Sequence, residues 1–138
     1  MTNHNAKKRQ VRFGPLIIVI LLMAVVLVSS GFSYFYVMNT SDRLQNTIDE
    51  IKKTVQEENW TLANQKSTEL FDNWDKEKPL MSILIDHRRM EAVEVLISRS
   101  NDFVKNKEKI DSLVELNQTA QQLHGIHEGE QPTLSNIF

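Results

Sequence analysis

The stretch "LHGIHEGE" gathers the side chains best suited to chemistry in this chain. His124 and His127 stand three residues apart, with Glu128 and Glu130 close behind. On one helix face, two imidazoles at that spacing and nearby carboxylates could hold a divalent metal. His87 and Glu91, four residues apart, could add ligands from a neighbouring helix. Gly125 argues against the arrangement, because a glycine between the histidines is expected to end the helix there. Two histidines in a polar tail are ordinarily solvated, so no metal site is assigned.

His87 also sits within "ILIDHRRME", beside Asp86. A general base needs a nucleophile or a substrate proton within hydrogen-bond reach, and the sequence names neither. No Gly-flanked serine and no phosphate-cradling glycine loop accompanies it. His87 therefore reads as a structural histidine at the edge of a bundle, and Arg88 and Arg89 as solvated ion-pair partners. The chain has no cysteine, which excludes disulfides, thiolate metal sites, a cysteine nucleophile and a lipidated cysteine. No catalytic residue, metal ligand or cofactor site is assigned, and the chain is expected not to be an enzyme.

Four apolar residues carry a different kind of function. Trp60 and Trp74, fourteen residues or about four helical turns apart, face the same way. They serve either as core packing or as contacts with a partner helix. Ile137 and Phe138 either fold back on the bundle or plug into a groove on another protein. Trp60, Trp74, Ile137 and Phe138 are the candidate partner contacts.

These residues must be positioned by a chain of two characters. From Phe13 to Ser41 there is no charged side chain. Leu16 to Val28 is unbroken apolar sequence, and Gly31 to Met38 stays uncharged and aromatic. Such a run suits either a membrane span or a signal-peptide core, and Val28-Ser29-Ser30 offers small residues for cleavage. Leu16 to Tyr34 rises about 27 Å as a helix, close to the thickness of the hydrocarbon layer. Tyr34 and Tyr36 then fall at an interface, where an amphipathic ring is most stable. Cleavage after Ser30 would leave an apolar, aromatic new terminus, so retention is favoured.

Before the span lie Lys7, Lys8, Arg9 and Arg12; beyond it lie 12 basic and all 18 acidic residues, a net charge of −6. The positive-inside bias places residues 1–12 in the cytoplasm and the larger part outside. An acidic outer part has no electrostatic footprint for nucleic acid. The expected division is a basic tail over 1–12, a transmembrane helix over 13–38, an extracytoplasmic helical domain over 39–127 and a tail over 128–138.

The outer part reads as helices. No glycine occurs between Ser41 and His124, and Pro79 and Pro132 are its only prolines. Leu44, Ile48, Ile51 and Val55 recur at helical spacing. Either Thr40, Ser41 or Asp42 caps a new helix there, or the membrane helix continues. Glu57-Glu58-Asn59 reads as a break, with Asn59 capping a second segment that carries Trp60, Ala63, Ser67, Leu70 and Trp74. Pro79 suits the first turn of a third helix, with Ile83, Met90, Ile97 and Val104 on one face beside Val93 and Leu96. Ser100-Asn101-Asp102 reads as a cap or a kink. A last segment presents Ile110, Leu113, Ala120 and Leu123 and is expected to stop near Gly125. The fold class is all-α: one N-terminal transmembrane helix followed by an antiparallel bundle of three to four helices. Its core is small for about a hundred residues, so a partner surface or self-association would add stability.

The basic tail, the single span, Trp60 with Ala63, Trp74, His87 in a helix and the terminal Asn136-Ile137-Phe138 resemble an uncharacterised family of small single-span membrane proteins of spore-forming Gram-positive bacteria. The resemblance implies a membrane-tethered, outward-facing helical domain with no assigned activity. Its genes keep company with multi-span membrane proteins, which implies an accessory role. The C-terminal histidines lie outside the pattern, and no site is carried over to them. The reading that results is a membrane-anchored extracytoplasmic helical interaction module, a non-enzymatic accessory subunit. Its partners would be the lipid bilayer and either a multi-span membrane protein or a second copy. The alternative is an extracytoplasmic ligand or metal sensor using His87, Glu91, His124 and His127.

Overall fold

A computed structural model of the chain describes residues 13 to 129. They form four α-helices: α1 Phe13–Gln56, α2 Trp60–Leu84, α3 His87–Lys105 and α4 Lys109–Gly129, with no strand among the described residues. The chain divides between Phe32 and Ser33 into two compact units, and α1 contributes to both.

The described part of the first unit is helix alone. Its large side chains from Leu16 to Val28 are between 52% and 72% exposed, so no described residue of the protein covers them. The Ser29 hydroxyl donates to the Val25 carbonyl at 2.7 Å, which satisfies it within its own helix. That is what a hydroxyl in hydrocarbon requires. Length and composition make this the one described helix able to cross a membrane.

The second unit is an antiparallel bundle. Leu44, Ile48, Ile51 and Val55 of α1 join Ala63, Leu70, Trp74 and Met81 of α2 in one buried core. Val37 of α1, Ile85 between α2 and α3, Met90, Val93, Ile97 and Val104 of α3, and Leu116, Leu123 and Ile126 of α4 complete it. The stripes read for α1 and α2 are those that pack. No new helix starts at Thr40; α1 runs on to Gln56, and Thr40 and Ser41 are buried within it.

The two distal turns share one geometry. Glu58 and Lys107 adopt positive φ angles of 56° and 60°. After each, a backbone N–H reaches back five residues, Asn59 to Thr54 at 2.9 Å and Glu108 to Phe103 at 3.0 Å. This is the paired hydrogen bonding of a Schellman ending, which satisfies carbonyls the helix leaves orphaned. Asn59 then caps α2, its side chain accepting from Leu62 N at 3.3 Å. Lys109 Nζ meets Glu58 Oε1 at 2.8 Å, so the α1–α2 and α3–α4 turns lie at the same end.

Several local expectations are corrected. Pro79 does not open a helix; it lies inside α2, which continues to Leu84. An interior proline costs about 3 kcal/mol, which burial of Met81 beyond it helps to offset. The break comes instead at Ile85, in extended conformation, followed by Asp86, whose carboxylate caps α3 by accepting from Arg88 N at 3.0 Å. Ile83 is therefore on α2 and 78% exposed, not on the face shared by Met90, Ile97 and Val104. Ser100-Asn101-Asp102 starts no new helix; the segment is interior to α3, with Ser100 and Asn101 buried. Gly125 does not stop α4, which runs to Gly129 because Ile126 is buried in the core. Ile110 points outward, and Leu116 and Ile126 take the core positions in its place.

Candidate functional site

Most residues singled out above have a place in the described structure. His87 Nε2 lies 3.1 Å from Glu91 Oε1, one turn on along the solvent face of α3. His124 is exposed on α4. The side chains of His127 and Glu128, and all of Glu130, Ile137 and Phe138, lie outside the described residues. Among the described residues, no three His, Cys, Asp or Glu side chains come together as a metal-binding group. Arg88 Nε sits 3.5 Å from Asp86 Oδ1. Arg89 does something the sequence did not suggest: its guanidinium donates to the Gly125 carbonyl at 3.1 Å, tying α3 to the last turns of α4.

The tryptophans differ. Trp74 is 2% exposed and belongs to the core, with its Nε1 lacking a hydrogen-bond partner. Trp60 is half-buried at the start of α2, against the core on one side. On the other it lines a shallow surface depression with Thr61, Asn64 and Lys105.

Two polar clusters lie beyond the residues singled out as sites. One joins α1 to α2: the Tyr36 hydroxyl donates to Glu77 Oε2, and Arg43 donates to Glu77 Oε1. The Tyr36 hydrogen bond is the main cause that holds the Glu77 carboxyl below its ordinary range; burial opposes it, and Arg43 adds to it. A depressed carboxylate contributes stability that is complete above its unfolded-state pKa and is lost as pH falls through the folded one. Acidification should therefore loosen the α1–α2 contact, and Glu77→Gln should remove that part of the acid sensitivity. Unfolding midpoints of both forms, measured from neutral to acidic pH, check this.

The other cluster crosses α2, α3 and α4 inside the bundle. The Ser67 hydroxyl donates to Asn101 Oδ1 at 3.1 Å. The Ser100 and Thr119 hydroxyls lie 3.3 Å apart, and Thr119 donates to the Glu115 carbonyl at 2.7 Å. The Glu115 carboxylate is almost wholly buried, with Oε1 at 2.5 Å from Arg99 Nη2 and Oε2 unpartnered. Small hydroxyl residues let helices approach closely, and their mutual bonds allow their burial. Ser67 stood within a recognised stripe; Ser100, Thr119 and Glu115 gave no such signal. Chemically, the arrangement fixes helix register and presents side chains outward.

The family model described as Domain of unknown function (DUF4363) matches residues 31–137. That range takes in the bundle and begins at Gly31, within α1. No curated protein and no solved structure matches the chain.

Proposed function

This chain belongs to the DUF4363 family, and we propose that it is a membrane-anchored, extracytoplasmic helical interaction module. It would act as a non-enzymatic accessory subunit of a membrane protein assembly. One observation carries the proposal: an apolar helix whose side chains stand exposed, in a chain whose other unit closes a core of its own. Exposed apolar surface on that scale needs a non-aqueous surrounding. The four cations before the span support a single-pass topology with the N-terminus in the cytoplasm. The resemblance to single-span proteins of spore-forming Gram-positive bacteria supports a bacterial cell membrane as the setting. In that setting the outer face of the bundle makes the contacts, either with a multi-span protein or with a second copy.

Photo-crosslinking in intact cells tests the proposal, with the crosslinker placed at Trp60 and at Phe138. A discrete, stoichiometric adduct that survives detergent purification is the expected result. Only uncrosslinked chain from both positions, with no co-purifying membrane protein, would contradict it.

A further inference from the structure

The bundle carries apolar surface at one end that its core does not use. Two rungs set the register of α1 against α2: Lys66 pairs with Glu50, and Glu77 receives bonds from Tyr36 and Arg43. Ile83 lies seventeen residues beyond Lys66 on α2, and Ser33 lies seventeen before Glu50 on α1. In an antiparallel pair with equal rise per residue, Ile83 is therefore level with Ser33, the first residue of the bundle unit. At this level Ile83 is 78% exposed and Phe35 is 70% exposed, with Leu80 and Tyr34 each more than one-third exposed. Arg88 follows just after the turn, its side chain open to solvent and only loosely paired to Asp86.

We propose that this rim, centred on Ile83 and Phe35 with Leu80 beside them, is a lipid-binding surface that seats the bundle in the bilayer interface. The inference rests on the anchoring proposed above. One peptide bond joins Ser33 to the apolar segment, so the rim begins where the span ends, and the nearest available apolar medium is the lipid around it. The residue types suit that depth. Ile83 and Phe35 enter the acyl boundary, Tyr34 places a ring with one polar end at the headgroups, and Arg88 extends its stem and meets phosphate oxygens. The opposite end supplies a control. Ile110, 76% exposed, follows directly on Lys109, whose ion pair with Glu58 places it beside the α1–α2 turn.

The absence of cysteine makes the test clean. The full chain, carrying Leu22→Cys, Ile83→Cys or Ile110→Cys, is labelled with an environment-sensitive fluorophore. Each is reconstituted into vesicles of phosphatidylcholine and phosphatidylglycerol with spin-labelled lipid quenchers. The expected result is deep quenching at position 22, a blue shift with shallow quenching at 83, and neither at 110. Position 83 should be quenched several-fold more strongly than 110. Quenching at 22 with position 83 behaving like 110 would overturn lipid seating and leave anchoring intact. A shift at 83 seen only in native membranes, not in pure lipid, would assign the rim to a protein groove and overturn it equally. Lack of quenching at 22 would overturn the anchor itself, and lipid seating with it.

Discussion

Trp74→Ala should destabilise the bundle by about 3–5 kcal/mol, the range for removing a large aromatic from a packed core. Trp74 is among the largest fully buried side chains, on a helix that also buries Ala63, Leu70 and Met81. The cavity left would sit in a core of modest size, with few neighbours able to collapse into it. Whole domains are stable by only about 5–15 kcal/mol, so this loss approaches complete unfolding of the second unit. Two comparisons separate a core role from a general effect. Trp74→Phe should cost much less, since it keeps an aromatic ring and removes an N–H that has no partner. Ile83→Ala, at an exposed position, should change stability by no more than about 0.5 kcal/mol. Far-UV circular dichroism during chemical denaturation in detergent reads all three. A mild effect of Trp74→Ala would mean that the ring serves something other than the core.

Arg99→Ala should cost about 2–3 kcal/mol, and for a different reason. The arginine is itself more than half exposed, so its direct Coulombic contribution is screened. What the substitution leaves behind is the greater cost: Glu115 has one oxygen facing Arg99 and the other unpartnered in the interior. A buried carboxylate stripped of its partner is among the more destabilising single changes. Glu115→Leu should therefore be close to neutral, and adding it to Arg99→Ala should recover most of the loss. Equal, additive losses from the two single variants would show that the pair is not coupled through burial. The cycle also asks what the polar layer is for. A layer that sets register should yield a loosely packed helical state when lost, visible as reduced near-ultraviolet dichroism with helix content retained.

Periodicity made the helices legible. Leu44, Ile48, Ile51 and Val55 sit on one face, and the same four are buried in α1. Asn59 carried its own signal, because an asparagine after two glutamates and before a tryptophan-led stripe is a capping residue in the place it should be. Punctuation failed where tertiary packing overrode it. Pro79 and Gly125 both look like boundaries, yet both are interior to helices whose later residues, Met81 and Ile126, have core positions to fill. The reverse happened at Lys107, where a helix ends in a left-handed residue that is not glycine, so no local marker separated α3 from α4. Ser100 and Asn101 resembled a cap because their side chains compete with backbone for hydrogen bonds. Instead Asn101 accepts from Ser67 across the bundle, and Ser100 donates to the Leu96 carbonyl, facing Thr119. Such cross-helix pairing depends on residues far apart in sequence, and composition does not reveal it. Four-residue spacing put His87 against Glu91 on α3, while the side chains of His127 and Glu128 lie outside the described residues.

Topology and lipid seating both depend on the apolar segment from Phe13 to Phe32 staying in lipid as part of the working protein. Alkaline carbonate extraction of cell membranes, followed by intact mass measurement of the retained chain, tests it most directly. The expected result is a polypeptide that stays in the membrane pellet and still carries its basic tail and the whole apolar segment. Release into the carbonate supernatant, or a chain that starts at Gly31, would contradict it.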